Sequence, residues 1–141
     1  MIKIAARLME KITKAAEGAY PNECCGLLGG YASPDGEVTI TRVQLSENVA
    51  SEGIKDRFEV DPKVRFDLMR ELENGPERII GHYHSHPDHQ AVPSQHDLKM
   101  AFEPDLLWLI VALSNGKVSD TRAHGVNDDA SAFHEIPLTI N

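Results

Sequence analysis

From Leu106 to Leu113 the chain reads Leu-Leu-Trp-Leu-Ile-Val-Ala-Leu, a nearly continuous apolar run. It is far shorter than the roughly 20 residues that span a bilayer. It also lacks the polar alternation of a strand with one wet face, so it fits a central strand covered on both sides. Such a strand needs neighbours in the sheet and helices above it. The rest of the chain supplies both. Ile4, Leu8, Ile12, Ala15 and Ala16 recur at helical spacing, which predicts an amphipathic helix over about 5–19 that Gly18 and Pro21 end. Cys25 to Tyr31 is short and apolar and fits a buried strand. Ser33-Pro34-Asp35-Gly36 signals a turn, and Glu37 to Leu45 alternates, with a slip of phase near Thr41–Arg42. These form a hairpin.

Residues 46–56 are polar and read as a loop, followed by a possible short strand from Arg57 to Val60. Asp61 is suited to cap a second helix with Pro62 at its first position, and Val64, Phe66, Leu68, Met69 and Leu72 would form its apolar face. Asn74-Gly75-Pro76 stops it. Arg78 to Tyr83 reads as a strand, Ser94 to Phe102 as a short helix with Ser94 as N-cap, and Asn115-Gly116 as a hairpin turn. Lys117 to His124 and Ala132 to Ile140 would be the last strands. The order gives an α+β fold: a mixed, mostly antiparallel sheet with flanking helices.

Bulk properties narrow the function. The 141 residues suit one domain, and 41% hydrophobic residues suffice for a core. A net charge of −8 argues against nucleic acid and favours a partner with a basic face. No segment is apolar enough to cross a membrane, and the charged N-terminus does not read as a secretory signal. The only cysteines, Cys24 and Cys25, are adjacent and poorly placed to bridge each other. They read as reduced thiols of a cytoplasmic protein.

Five of the seven histidines fall between positions 82 and 96: His82, His84, His86, His89 and His96. Side chains alternate along a strand, so His84 and His86 share a face if the strand continues through them. Asp97 follows after a loop long enough to fold back. Two imidazoles and a carboxylate form a plausible catalytic zinc set, with the fourth position left for water. A lone His-x-His is most often structural or on the surface. The ordered string His-x-His-Pro-x6-Ser-x2-Asp, from His84 to Asp97, is much harder to obtain by chance.

That string resembles the signature of the JAMM (MPN+) metalloproteases. The segment Asn22-Glu23-Cys24-Cys25-Gly26-Leu27-Leu28-Gly29-Gly30 is similar to small bacterial members of the family. The resemblance runs from Glu23 to about Leu113, and the Arg57-Phe58 to Asp61-Pro62 stretch shares it less diagnostically. It implies a JAMM/MPN fold of cytidine-deaminase-like type and one Zn2+ per chain, held by His84, His86 and Asp97. It implies Glu23 as general base and proton shuttle, and Ser94 as hydroxyl donor to the oxyanion. It further implies cleavage after the C-terminal Gly-Gly of a ubiquitin-like or sulfur-carrier protein.

Plainer readings stand beside these. Ser94 as an N-cap competes with Ser94 as an oxyanion donor, unless its oxygen accepts while its proton donates. His82 shares the alternation of His84, so it is a supporting or core residue, or an alternative ligand. His89 and His96 read as loop and helix-surface residues. Two other functions remain: a non-catalytic MPN scaffold, and a hydrolase using Cys24 or Cys25 as nucleophile.

Overall fold

The computed structural model describes residues 1–50 and 57–141. Its elements in chain order are β1 (Ile2–Ile4), α1 (Ala6–Ala19), β2 (Cys25–Ala32), β3 (Val38–Ser46), α2 (Pro62–Leu72) and β4 (Arg78–Pro87). They continue with α3 (Gln95–Lys99), β5 (Leu107–Ser114), β6 (Lys117–Val126), β7 (Phe133–Ile136) and β8 (Leu138–Ile140). The strands form a sheet in the order β7-β6-β5-β4-β2-β3-β1-β8. β1 pairs in parallel with β3 and β8, and β4 with β5, while the other neighbours are antiparallel. This is the mixed sheet with flanking helices that the sequence leads one to expect.

Alternation sorts the two faces. Leu28 of β2, Tyr83 of β4 and Leu109 and Val111 of β5 join Leu8, Met9, Ile12 and Ala16 of α1 in the main core. On the opposite face Leu27 packs with Leu68 and Leu72 of α2. β5 is buried from Trp108 to Leu113, although it lies beside the centre of the sheet, which β4 and β2 occupy. The phase slip at Thr41–Arg42 is a bulge: Gly29 pairs with Arg42 but Gly30 with Ile40, leaving Thr41 extra. The freed Thr41 hydroxyl donates to the Glu77 carboxylate.

Four expectations need correction. Ile4 belongs to β1, not to the helix, because it aligns with Ile40 and Ile140 in the sheet. Arg57 to Val60 is no strand, since only Val60 pairs, in a single bridge to Asn48. The loop expected over 46–56 lies partly outside the described residues. On α2, Phe66 and Met69 are exposed, so its inward stripe is Leu68 and Leu72 with Val64 partly buried against them. The run from Ala132 to Ile140 is two strands split at Pro137. β7 and β8 lie at opposite ends of the strand order, with one residue between them. The sheet must therefore curl until its two ends meet, and the Pro137 carbonyl accepts from the Ile2 amide at that seam.

Gly26 lies where β2 crosses the buried Tyr83 ring. A Cβ there would overlap the Gln44 carbonyl oxygen and the ring itself. Gly26→Ala should therefore cost about 2 kcal/mol or more of stability, read as a lower denaturant midpoint at unchanged slope.

Candidate metal centre

β4 runs straight through the histidine segment to Pro87, four residues beyond the expected end at Tyr83. His84 and His86 therefore lie on the face opposite Tyr83, and both are buried. Their Nε2 atoms are 2.9 Å apart. The Oδ2 of Asp97, also buried, lies 3.5 Å from the first and 3.4 Å from the second. Three donors each about 2.0–2.1 Å from one zinc ion, at tetrahedral angles, would be about 3.3–3.4 Å apart. The donor set thus fits a divalent cation of that size.

Local structure explains why the atoms converge. Pro87 ends β4, and Asp88 turns the chain with φ 59°. The Asp88 carboxylate accepts from the Tyr20 hydroxyl at 2.7 Å and from the Asn115 amide at 3.2 Å, so the turn is anchored to the end of α1 and the β5–β6 hairpin. The chain then passes over the site. There the Gln90 carbonyl lies 2.9 Å from His86 Nδ1, and the Ala91 carbonyl lies 2.9 Å from Nε2 of the buried His124. Nδ1–H of His86 donates to Gln90, which leaves its Nε2 lone pair facing the centre.

Ser94 caps α3 as expected, in a reciprocal box. Its Oγ accepts from the Asp97 amide at 3.0 Å, and its own amide donates to Asp97 Oδ2 at 2.8 Å. The box thus aims Asp97 at the histidines. The Ser94 Oγ uses a lone pair in this cap, so its proton is left to donate elsewhere.

Glu23 precedes β2 and is buried. One of its carboxylate oxygens and the two imidazoles lie within 4.8 Å of one another. Asp97, from α3, reaches the same two imidazoles. The backbone beside Glu23 is tied to β4 through Ser85. Its Oγ accepts from the Cys24 amide at 2.8 Å, and its own amide donates to the Cys24 carbonyl at 3.1 Å. Glu23, His86, Ser94, His89 and His96 line one open cleft of about 580 Å³.

Burial is the largest influence on Asp97 and works to raise its pKa. The adjacent imidazoles of His84 and His86 outweigh it, so the carboxyl stays well below the usual range. Burial pushes His84 down. The same burial acts on His86, but the Asp97 carboxylate and the Gln90 carbonyl raise it on balance.

The residues outside this group are equally clear. His82 sits on the same face but packs edge-on against Trp108 at 4.3 Å and beside Phe58 at 5.5 Å. Burial, then the neighbouring His84, brings its pKa down to about 3, so it is a neutral member of an aromatic cluster. Cys25 is buried, and burial raises its thiol to about 12. Burial also raises Cys24, which packs against the main core. Neither is an activated nucleophile. Sequence reasoning missed Ser85, His124 and Asn48. Only the alternation of β4 hinted at Ser85, whereas the other two depend on contacts between distant segments.

A curled mixed sheet that brings two imidazoles and a carboxylate to one point, with a second carboxylate at the cleft, has the make-up of a metallohydrolase. The profile of the prokaryotic homologs of the JAB domain matches residues 5–124, and the chain belongs to that family. It is 31% identical over 133 residues to a desampylase of Haloferax volcanii, covering 94% of this chain and 88% of that protein. It is 26% identical over 143 residues to the CysO-cysteine peptidase of Mycobacterium tuberculosis, covering 99% and 91%. A JAB1/MPN domain protein from Archaeoglobus fulgidus has the same fold, with a TM-score of 0.60 at 20% identity over 98% of this chain and 97% of that one. The resemblance to JAMM (MPN+) proteins seen in the sequence is borne out. Among the described residues, no helix is long and apolar enough to cross a membrane.

Ser94→Ala should cost about 1 kcal/mol through loss of the cap. Thermal unfolding of the metal-free protein measures this separately from any effect on turnover.

Proposed function

We propose that this chain is a zinc-dependent peptidase or isopeptidase that cuts after the C-terminal Gly-Gly of a ubiquitin-like or sulfur-carrier protein. The observation that carries the reading is the convergence of His84, His86 and Asp97 on one point, with Glu23 and Ser94 lining the same cleft. The desampylase and the CysO-cysteine peptidase among its relatives support the substrate class. The two free thiols suit a cytoplasmic setting.

His84, His86 and Asp97 would hold the zinc. When bound, zinc acts as a Lewis acid and brings the pKa of water towards neutrality. Glu23 takes a proton from the attacking water and delivers it to the leaving nitrogen. Its buried position beside the histidines keeps that carboxylate close to both transfers. Ser94 donates its hydroxyl proton to the carbonyl oxygen as negative charge builds there, while the capping bond from the Asp97 amide fixes the oxygen's position.

The test is mass spectrometry of Gly-Gly-extended ubiquitin-like carriers incubated with the zinc-loaded protein, with and without chelator. Cleavage should occur after Gly-Gly and stop with chelator. If no carrier of the source genome is cut, or if cleavage survives the chelator but not iodoacetamide, the assignment is wrong. Glu23→Gln should retain zinc and lose about 10²-fold or more in kcat. His84→Ala and Asp97→Ala should lose zinc as well, which metal analysis of the purified variants will show.

A further inference from the structure

The two imidazoles of the centre are held in different ways. His86 is oriented by its hydrogen bond to the Gln90 carbonyl. Nδ1 of His84 is buried and meets no hydrogen-bonding group among the described residues. What its ring does meet is Phe58, stacked on it at a centroid distance of 4.1 Å with an interplanar angle of 13°. Phe58 lies in an irregular segment, so something must hold it there.

Asn48 does this. Its Oδ1 accepts from the Glu59 amide at 2.9 Å, and its Nδ2 donates to the Arg57 carbonyl at 3.0 Å. The side chain therefore grips the backbone on both sides of Phe58. The same Nδ2 donates to the Glu23 carbonyl at 3.2 Å, and Oδ1 also accepts from the Ala50 amide at 3.0 Å. The grip is reinforced by the Val49 amide, which donates to the Glu59 carbonyl at 2.9 Å. One amide group thus ties together the backbone of Glu23 and the segment that carries the ring on His84.

We propose that Asn48 and Phe58 form a positioning unit, in which Asn48 holds Phe58 and Phe58 fixes the His84 ring by stacking, in place of a hydrogen bond to its outer nitrogen. The unit rests on the reading of His84 as a metal ligand. Metal ligands are ordinarily oriented by a polar partner, whose loss costs about 10–100-fold in affinity. An aromatic stack constrains the plane of the ring, but only while the stacking ring is itself held.

The experiment is competition of the purified full-length protein with a chromophoric chelator for Zn2+, at a temperature where circular dichroism shows each variant folded. Phe58→Leu keeps an apolar side chain, though a smaller one, and removes the stack. Asn48→Asp retains both acceptor bonds, from Glu59 and Ala50, but loses the donor bonds to Arg57 and Glu23. Each should weaken zinc binding by about 10-fold or more, whereas Phe58→Tyr should stay within about 3-fold of the parent. Because both act through one ring, the double variant should bind about as weakly as the weaker single variant, far short of the summed effect. Should Phe58→Leu fail to fold, Asn48→Asp and Phe58→Tyr carry the comparison. If the parent binds zinc and the folded variants bind it equally tightly, the positioning unit is refuted and the metal reading survives. If the parent binds no zinc, both fall. Zinc binding that weakens as described in a protein that cleaves no carrier supports the unit and removes only the substrate.

Discussion

The centre depends on the unbroken extended backbone of β4 through His84, Ser85 and His86. Alternation in this strand does two tasks at once. His84 and His86 turn their imidazoles towards Asp97 and Glu23. The intervening Ser85, buried on the other side, exchanges hydrogen bonds with Cys24. A break in the strand would separate the two histidines and also release the segment carrying Glu23. The placement of the two histidines and of Glu23 is therefore one property of one strand, set by its pairing with β2, where Cys25 lies opposite His84.

The elements around that strand divide the remaining work. The box at the start of α3 aims Asp97, and the stretch from Asp88 to Ala91, anchored at Tyr20 and His124, supplies the carbonyl that orients His86. These are direct hydrogen bonds of 2.7–2.9 Å, and they tolerate little displacement. The mouth of the cleft is open, and a net charge of −8 favours a partner with a basic face. An open cleft with a rigid interior suits a flexible tail better than a buried small molecule.

Much of this could be read in the sequence because its signals are local. The helix caps at Asp61 and Ser94, the turn at Asn115-Gly116 and the bulge at Thr41 all lie within a few residues of the pattern that announces them. The string from His84 to Asp97 was legible for the same reason. Glu23 was not: alone it is an ordinary carboxylate, and only the family pattern singled it out. β1 was missed because three residues merge into the periodicity of the helix that follows. Asn48, Phe58 and His124 stayed hidden for a different reason. Asn48 works across 25 residues to Glu23 and His124 across 33 to Ala91, and such pairings leave no periodic trace.

The seam at Pro137 has a bearing on how the molecule comes into being. β1 is made well before β8, yet it pairs with it as well as with β3. During synthesis the flank of β1 remains bare until β8 has cleared the ribosome. Contacts so remote in sequence slow folding and lengthen the interval in which an open strand edge can find the wrong neighbour. A chain without β8 would keep His84, His86, Asp97 and Glu23 and still carry that raw edge. Aggregation, more than lost chemistry, is the failure expected of a chain that lacks β8.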